Sequence, residues 1–276
     1  MKRSLFSVSL IIVAASSFAQ IKMPPPAPLE TIRQEFGLGT IELVYSRPTI
    51  KDRRVFGDLV PFDKVWRTGA NAASILSFSM PVEIGGKTVD SGSYALYTEP
   101  HEDFWEIMLN RAVKNWGTEG YKESADIVHL RVPVKFTKPK LETFTMQIVN
   151  ISPEVCTLEL AWENTMVSFP IRSKAREQLR RDIEAGLASD NKPYWDAAQF
   201  YFEYDRNDPK ALENVKAAVA ANPKAYYMWL YKAKIELEMG DKAAARASSE
   251  QSLKLAREAK DNEYVEMNEE LQKKMK

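Results

Sequence analysis

The sequence contains very little cysteine and histidine. Its 276 residues include one cysteine and two histidines. Cys156 alone cannot form an internal disulfide bond, and in the alternating run EVCTLELAW a free cysteine behaves as a small buried hydrophobic residue. His101 and His129 lie in separate segments, without the spacing of a zinc motif. We therefore expect no metal, no cofactor, and a fold that its own hydrophobic core stabilises.

Long hydrophobic runs are also missing, apart from one near the amino terminus. The run Leu5–Ala15 is too short to span a bilayer comfortably, and basic residues precede it. Small residues follow, which is typical of a signal peptide over residues 1–19, cleaved near Ala19-Gln20. The alternative is an uncleaved anchor, and the absence of a following cysteine argues against a lipid anchor. The sequence predicts an exported, periplasmic protein without a transmembrane segment after cleavage.

Neither sign of charge is in excess. Lys and Arg together number 38, and so do Asp and Glu. Removal of residues 1–19 takes away Lys2 and Arg3, which leaves 36 basic side chains against 38 acidic ones. Nucleic-acid binding needs a strong positive field, which this composition does not supply. We therefore do not expect nucleic acid to be a partner.

Recognisable catalytic motifs are absent as well. The sequence has no G-x-S-x-G nucleophile elbow and no Walker-type glycine loop. A glycosidase-type pair of carboxylates needs no fixed spacing in sequence, so its presence stays open. The residues thus indicate no particular reaction, and a hydrolase acting on saccharide or cell-envelope material is the alternative function.

The middle of the chain has an alternating pattern of apolar and polar residues. After a proline-rich lead-in over residues 20–37, the period is two up to Ile171. The apolar positions of three such runs are Leu76, Phe78 and Met80, then Phe144, Met146 and Ile148, then Leu158, Leu160 and Trp162. Gly85-Gly86 indicates a hairpin. The pattern predicts eight to ten strands, in an antiparallel β-sandwich or barrel-like domain over residues 38–172.

The pattern becomes helical from Ser173 onwards. Ala175, Leu179, Ile183 and Leu187 recur every four residues behind Ser173, a plausible N-cap. Farther on, three pairs of residues stand 34 apart: Trp195 and Trp229, Ala211 and Ala245, and Ala218 and Ser252. This spacing is typical of tetratricopeptide repeats, which stack into surfaces that receive protein partners. We predict a tetratricopeptide-like helical domain over residues 173–276, capped by a helix at about 263–273.

Basic residues are concentrated among aromatics and prolines in the block Tyr45–Asn71. The candidate ligand-binding residues in this block are Arg47, Lys51, Arg53, Trp66, Arg67 and Asn71. Arginine donors suit a small polar or anionic ligand, or a saccharide with an acidic group. The alternative is that the arginines are internal struts and Trp66 is a core residue.

A second candidate cluster lies in one predicted loop. It consists of Asn110, Trp116 and Tyr121. Aromatic side chains together with an amide can form a stacking face for a sugar. They can equally hold a long loop against the sheet, and both interpretations stay open.

Several long motifs carry a resemblance to a known family. They are YSRPTIKDRRVFG, LVPFDKVWRTGANAAS, GGKTVDSGSYALYTEP, WEIMLN and NWG. On these motifs the chain resembles, over about residues 30–170, an exported bacterial family known only as domain-of-unknown-function family 2911. The resemblance implies an exported β domain, often followed by a tetratricopeptide-like tail, and it implies no reaction because the family has no established activity. Asp52 stands where a glycine is expected, and glycine tolerates positive φ.

These observations lead to one preferred function. We expect a non-catalytic, exported envelope protein that binds a small ligand on its β domain and a protein partner on its helical repeats. The hydrolase is one alternative, and a purely structural interaction protein is another.

Overall fold

A computed structural model describes residues 23–275 of the chain. The predicted signal peptide, residues 1–19, and its cleavage point lie outside these residues. The described part contains ten β-strands followed by six α-helices, with a π-helix at Phe200–Tyr204. The predicted fold class, mainly β followed by α, is confirmed.

The ten strands form two antiparallel sheets. In chain order they are β1 (Leu29–Phe36), β2 (Gly39–Ser46), β3 (Ser74–Phe78), β4 (Val82–Ile84), β5 (Lys87–Val89), β6 (Gly92–Pro100), β7 (Phe104–Asn110), β8 (Asp126–Pro133), β9 (Lys135–Val149) and β10 (Val155–Ser173). The six-stranded sheet has the order β1-β2-β3-β6-β7-β8, and the four-stranded sheet has the order β5-β4-β10-β9. The predicted hairpin at Gly85-Gly86 joins β4 to β5.

One hydrophobic core holds buried side chains from both sheets. Leu76 and Phe78 of β3 are buried in it, as are Phe144 of β9 and Leu160 of β10. These are the alternating positions that the sequence assigned to one face of each strand, so the period-two pattern correctly identified the inward face. Cys156 is also buried in this core.

The structure differs from the sequence prediction at the lead-in, residues 20–37. Leu29–Phe36 form β1, which pairs with β2 from Leu29 opposite Ser46 to Phe36 opposite Gly39. Of its eight residues only Phe36 is fully buried. Because neither face of β1 is strongly apolar, the local pattern does not indicate a strand, and pairing with β2 determines it instead.

Six helices follow the strands. They are α1 (Ala175–Leu187), α2 (Tyr194–Gln199), α3 (Asp208–Ala221), α4 (Tyr226–Glu238), α5 (Lys242–Ala259) and α6 (Asn262–Lys273). Side-chain N-caps begin three of them: Asn207 for α3, Asp241 for α5 and Asp261 for α6. Ser173 lies one residue before the N-cap of α1, although its Oγ accepts the Ala175 N–H at 2.9 Å. The last helix agrees with the predicted residues 263–273.

The small residues of the 34-residue spacing are buried between helices. Ala211 and Ala218 lie on α3, and Ala245 and Ser252 lie on α5. Small side chains at these positions let neighbouring helices pack closely. Within residues 23–275, no helix is both long and apolar enough to cross a membrane.

Residues of two loops, Val65 and Tyr121, pack against Tyr97 and Met108 of the six-stranded sheet. One connects β2 to β3 and the other connects β7 to β8. Isolated bridges connect Trp66 to Thr98 of β6, and Ala72 to Trp116 of the other loop. The loops are therefore tied both to the sheet and to each other, and the candidate site lies where they meet.

Candidate ligand-binding cleft

Arg47 ties three strands together. Its Nη1 lies 3.2 Å from Oε1 of Glu30 on β1, and its Nη2 donates to Oγ1 of Thr145 on β9 at 2.9 Å. Its Nε donates to the Phe144 carbonyl at 3.2 Å. All three guanidinium nitrogens thus have acceptors inside the β domain, and Arg47 has the role that the strut interpretation assigns to it.

Arg53 and Lys51 belong to the turn after β2. Arg53 donates from Nε to the Ile50 carbonyl and from Nη2 to the Thr49 carbonyl, both at 2.8 Å. The side chain of Lys51 is exposed, and its backbone N–H donates to Oε1 of Glu142 at 3.0 Å. The structure therefore gives Arg53 a local backbone contact and leaves Lys51 in solvent.

Asp52 lies at the tip of this turn with a φ of +58°. The left-handed region favours glycine, because a Cβ atom makes this conformation costly. The backbone at Asp52 therefore has the conformation expected for a glycine, although aspartate is less favourable there than glycine.

Trp66 is a core residue. Its ring stacks on Trp162, with centroids 6.0 Å apart and an interplanar angle of 17°, and it meets Phe144 edge to face. Its Nε1 donates to the Gly69 carbonyl at 3.1 Å. Backbone hydrogen bonds in both directions with Thr98 hold this segment against β6. This packing fixes the direction of the chain at the following residue, Arg67.

Arg67 is half-buried and lines an open cleft, which we call the Arg67 cleft. Its other principal lining residues are Leu59, Lys64, Trp66, Trp116 and Glu119. The cleft has a volume of about 420 Å³. Lys64 and Arg67 are cationic and Glu119 is anionic, and Trp116 is 66% exposed. The cleft thus combines two cations, one carboxylate and a solvent-facing indole ring.

Two neighbours position the guanidinium of Arg67. Its Nη1 donates to the Asn71 carbonyl at 3.0 Å, and the Asn71 side chain donates in turn to Oγ of Ser46 at 3.2 Å. Gly117, with a φ of +68°, lies directly against it, since a Cβ on Gly117 would be 2.8 Å from Nη1. Nε and Nη2 of Arg67 have no acceptor among residues 23–275, which leaves two of the three nitrogens free to meet a ligand.

The second candidate cluster divides into two roles. Asn110 is buried and donates to the Lys122 carbonyl at 2.9 Å and to Oδ1 of Asp126 at 2.7 Å. Tyr121 donates to Oδ2 of Asp126 at 2.7 Å, and burial together with this bond raises the pKa of Tyr121 well above its usual value. Both side chains hold the loop against the sheet, while Trp116 extends into the Arg67 cleft.

The structure therefore brings together part of the predicted site. Trp66, Arg67 and Trp116 line the cleft, and Asn71 supports it through its carbonyl. Arg47 and Arg53 are held elsewhere by partners of their own, and the side chain of Lys51 is exposed to solvent away from the cleft. Whether any of these residues binds a ligand stays a prediction.

Some lining residues were not among the sequence candidates. They include Leu59, Lys64 and Glu119, of which Lys64 belongs to the basic block Tyr45–Asn71. The sequence contains no pattern that places the NWGTEG segment beside the block Tyr45–Asn71, because the contact between the two loops is purely tertiary.

The fold and the cleft define the class of this protein. It has a two-sheet antiparallel β domain, with a loop-built cleft on its six-stranded sheet, and a helical tail. The family model described as "Protein of unknown function (DUF2911)" matches residues 27–171, and the chain belongs to this family. The match begins just before β1 and ends within β10. No curated protein and no solved structure matches the chain.

Proposed function

We propose that this protein is a non-catalytic binding protein of the cell envelope, whose Arg67 cleft holds a small anionic ligand such as an acidic saccharide. The observation that carries the proposal is the guanidinium of Arg67, which lines the same cleft as the exposed ring of Trp116 and has two nitrogens without an acceptor among the described residues. A guanidinium recognises a carboxylate with two parallel hydrogen bonds, and an aromatic ring offers an apolar face to a sugar.

The contrast with the other arginines of the block supports this assignment. Arg47 donates from all three guanidinium nitrogens to groups of the β domain, and Arg53 donates to two local carbonyls. Arg67 makes one internal hydrogen bond and faces a cleft that also contains Lys64. Two cations against the single carboxylate of Glu119 give this cleft a positive balance, which suits an anion.

The proposal also covers the compartment and the tail. The signal-peptide pattern of residues 1–19 supports export to the periplasm. The pairs of the 34-residue spacing fall on corresponding helices, since Trp195 and Trp229 lie on α2 and α4, and Ala211 and Ala245 lie on α3 and α5. This arrangement supports tetratricopeptide-like repeats that engage a protein partner, with a domain division near residue 173.

Isothermal titration with D-glucuronate tests the ligand class, and D-glucose is the matched neutral control. We expect glucuronate to bind the chain from Gln20 onwards with a Kd on the order of 1 mM, as its small size allows, and glucose to bind far more weakly. Arg67→Ala should weaken glucuronate binding at least tenfold, because a hydrogen bond to a charged group contributes about 1.5–3 kcal/mol. The control variant is Arg111→Ala, an exposed arginine outside the cleft.

A second variant guards against loss of folding in Arg67→Ala. Trp116 is exposed, so Trp116→Ala should keep the wild-type melting temperature and still weaken glucuronate binding. Equal binding of glucuronate and glucose, or full binding by both variants, would contradict the proposal. The hydrolase alternative is tested separately. If the same purified protein releases reducing sugar from envelope oligosaccharides, the result supports a hydrolase.

A further inference from the structure

A second cleft lies on the other side of the loop that builds the first. We call it the acidic cleft and define it by Phe62, Glu102, Asp103, Trp105, Phe136 and Glu163. Its volume is about 380 Å³. The segment between Arg54 and Arg67 borders both clefts, but the two share no lining residue. The acidic cleft is therefore a separate space that the proposed function does not use.

Aromatic rings form much of its wall. Phe136 on β9 is 77% exposed, the largest exposed fraction among the bulky apolar side chains of the described residues. Phe62 is half-buried, and Trp105 lies below with its ring 4.9 Å from that of Phe56. A ligand with an apolar part would gain contact area with Phe62 and Phe136.

Trp105 contributes an unsatisfied donor. It is fully buried, and its indole N–H has no acceptor among residues 23–275. Its neighbours differ in this respect, because Trp66 donates to the Gly69 carbonyl and Trp162 to the Glu142 carbonyl. A buried donor without a partner in the chain is rare and costs stability, so a water molecule or a bound ligand that accepts this hydrogen bond would be favoured.

Glu163 adds a strained residue to the same cleft. It has a φ of +55° and lies where the register between β9 and β10 shifts on both sides of it. Its carboxylate accepts the Val55 N–H at 3.3 Å and lies 3.2 Å from Nζ of Lys140. Bulges and strained backbone of this kind are concentrated next to functional sites.

The remaining charges in the cleft are mostly negative. Glu102 and Asp103 are exposed, and their carboxylates have no cationic partner among the described residues. His101 is engaged by Asp63 and Glu99. Arg54 also lines the cleft and is, among the described residues, its one cation besides His101; it donates from Nε to the Phe56 carbonyl and keeps its positive charge, so the carboxylates still outnumber it. Two unpaired carboxylates therefore line the same cleft as the exposed ring of Phe136 and the half-buried ring of Phe62.

We propose that the acidic cleft binds a small protonated amine that carries an apolar group and a hydrogen-bond acceptor. The ammonium group meets Glu102 and Asp103, and the apolar group lies against Phe62 and Phe136. Carboxylates and aromatic faces both attract a cation, so the two features select the same ligand charge. The acceptor takes the N–H of Trp105, which lines the cleft and has no acceptor among residues 23–275.

Three probes that differ mainly in charge test this ligand class. At about pH 6, where an α-amino group is protonated and a carboxyl group is ionised, they are L-phenylalanine amide, which is cationic, N-acetyl-L-phenylalanine amide, which is neutral, and N-acetyl-L-phenylalanine, which is anionic. We expect saturable shifts of tryptophan indole resonances in NMR spectra with the cationic probe, at a Kd on the order of 1 mM. The neutral probe should bind several-fold more weakly and the anionic probe weakest, and added salt should weaken binding of the cation.

Variants at exposed positions locate the site. The double variant Glu102→Gln with Asp103→Asn should weaken binding of the cationic probe about fivefold, the sum of two exposed ion pairs. Phe136→Ala should weaken it too, and it guards against a folding defect in the double variant. The matched control is Glu258→Gln, an exposed carboxylate on α5 that lines neither cleft.

The results for binding of the cationic probe can be distinguished from the results for binding of glucuronate. Loss of glucuronate binding in Arg67→Ala with retained binding of the cationic probe supports two independent sites. Equal binding of all three probes, no binding of the cation, or full binding by both acidic-cleft variants would overturn the inference, whatever the Arg67 cleft binds.

Discussion

A Cβ atom placed on Gly117 would lie 2.8 Å from Nη1 of Arg67. This distance is too short for a real contact, so the guanidinium occupies its position only because residue 117 has no side chain. Gly117 also has a φ of +68°, a conformation that L-residues avoid. Gly117 thus has two roles: it allows the positive φ of the loop, and it leaves room for the proposed anion-binding guanidinium.

Gly117→Ala should therefore affect both stability and binding. We expect a loss of about 1–2 kcal/mol in the free energy of unfolding, since an L-residue in the left-handed region costs about this much, and a several-fold weaker affinity for glucuronate. The control is Gly86→Ala, whose φ is +76° and whose Cβ would meet nothing within 4 Å. It should lose similar stability but keep its affinity. An unchanged affinity for glucuronate in Gly117→Ala would contradict a role of the Arg67 guanidinium in binding.

Asp52→Gly should stabilise the protein. Asp52 has a φ of +58°, and glycine removes the cost of that conformation while adding some entropy to the unfolded chain. We expect a net gain of about 0.5–1 kcal/mol in urea denaturation. Asp58 is also exposed and is not among the residues with positive φ, so Asp58→Gly should be neutral or destabilising. Equal effects of the two substitutions would show that strain at Asp52 is negligible.

Arg47→Ala tests the strut role. The substitution leaves Glu30, Thr145 and the Phe144 carbonyl without their donor. Because the site is half-buried and hydrogen-bonded to a charged group, we expect a loss of about 2 kcal/mol in the free energy of unfolding. Arg111→Ala, at an exposed arginine, should stay within about 0.5 kcal/mol of the wild type. Similar stabilities for the two variants would contradict this role.

The buried thiol predicts a pH dependence at alkaline pH. Burial raises the pKa of Cys156 from 9.0 to about 12. The folded state therefore holds the neutral thiol, which contributes stability that is complete below pH 9 and declines as the pH rises from 9 towards 12. Comparison of unfolding free energies between pH 8 and pH 10.5 should show a shallower decline in Cys156→Ala than in the wild type.

The reactivity of the same thiol is a direct check. A buried, protonated cysteine reacts slowly with thiol reagents. Iodoacetamide at pH 8 should leave the native protein unmodified over a time in which the urea-unfolded chain is fully alkylated. Rapid modification of the native protein would show that Cys156 is accessible.

The predicted signal peptide can be tested by expression of the whole chain in a Gram-negative host. We expect the protein in the periplasmic fraction, with an amino terminus at Gln20 by mass spectrometry. Leu10→Arg places a charge in the apolar run, and this variant should stay uncleaved in the cytoplasm. A wild-type chain that keeps Met1 in the cytoplasm would contradict the proposed export.

Much of the architecture follows from local patterns. Alternation at Leu76 and Phe78, at Phe144 and Met146, and at Leu158 and Leu160 correctly identified the inward faces of strands. Gly85-Gly86 correctly marked a hairpin. These features could be predicted because side-chain burial has a period of two in strands, and because glycine pairs favour tight turns. β1 could not be predicted in this way, since neither of its faces is strongly apolar and pairing with β2 determines the strand.

The candidate site was predicted only in part. Arg47, Arg53 and Arg67 look alike in sequence, each a cation among aromatic and proline residues. Their roles differ because of distant partners: Glu30 and Thr145 surround Arg47, whereas Gly117 and Trp116 border Arg67. The acidic cleft as a whole was not predicted, because Glu102, Phe136 and Glu163 come from separate strands and loops.

The sequence by itself determined the strand-then-helix order, the inward faces, the buried cysteine and membership of the DUF2911 family. These depend on periodicity and motif, which are local along the chain. The tertiary structure alone decided which arginine is a strut and which faces a cleft, and it alone placed the loop of Trp116 beside the loop of Arg67. Such contacts join residues some fifty positions apart, and the free energy that selects them belongs to the packed fold and not to any segment.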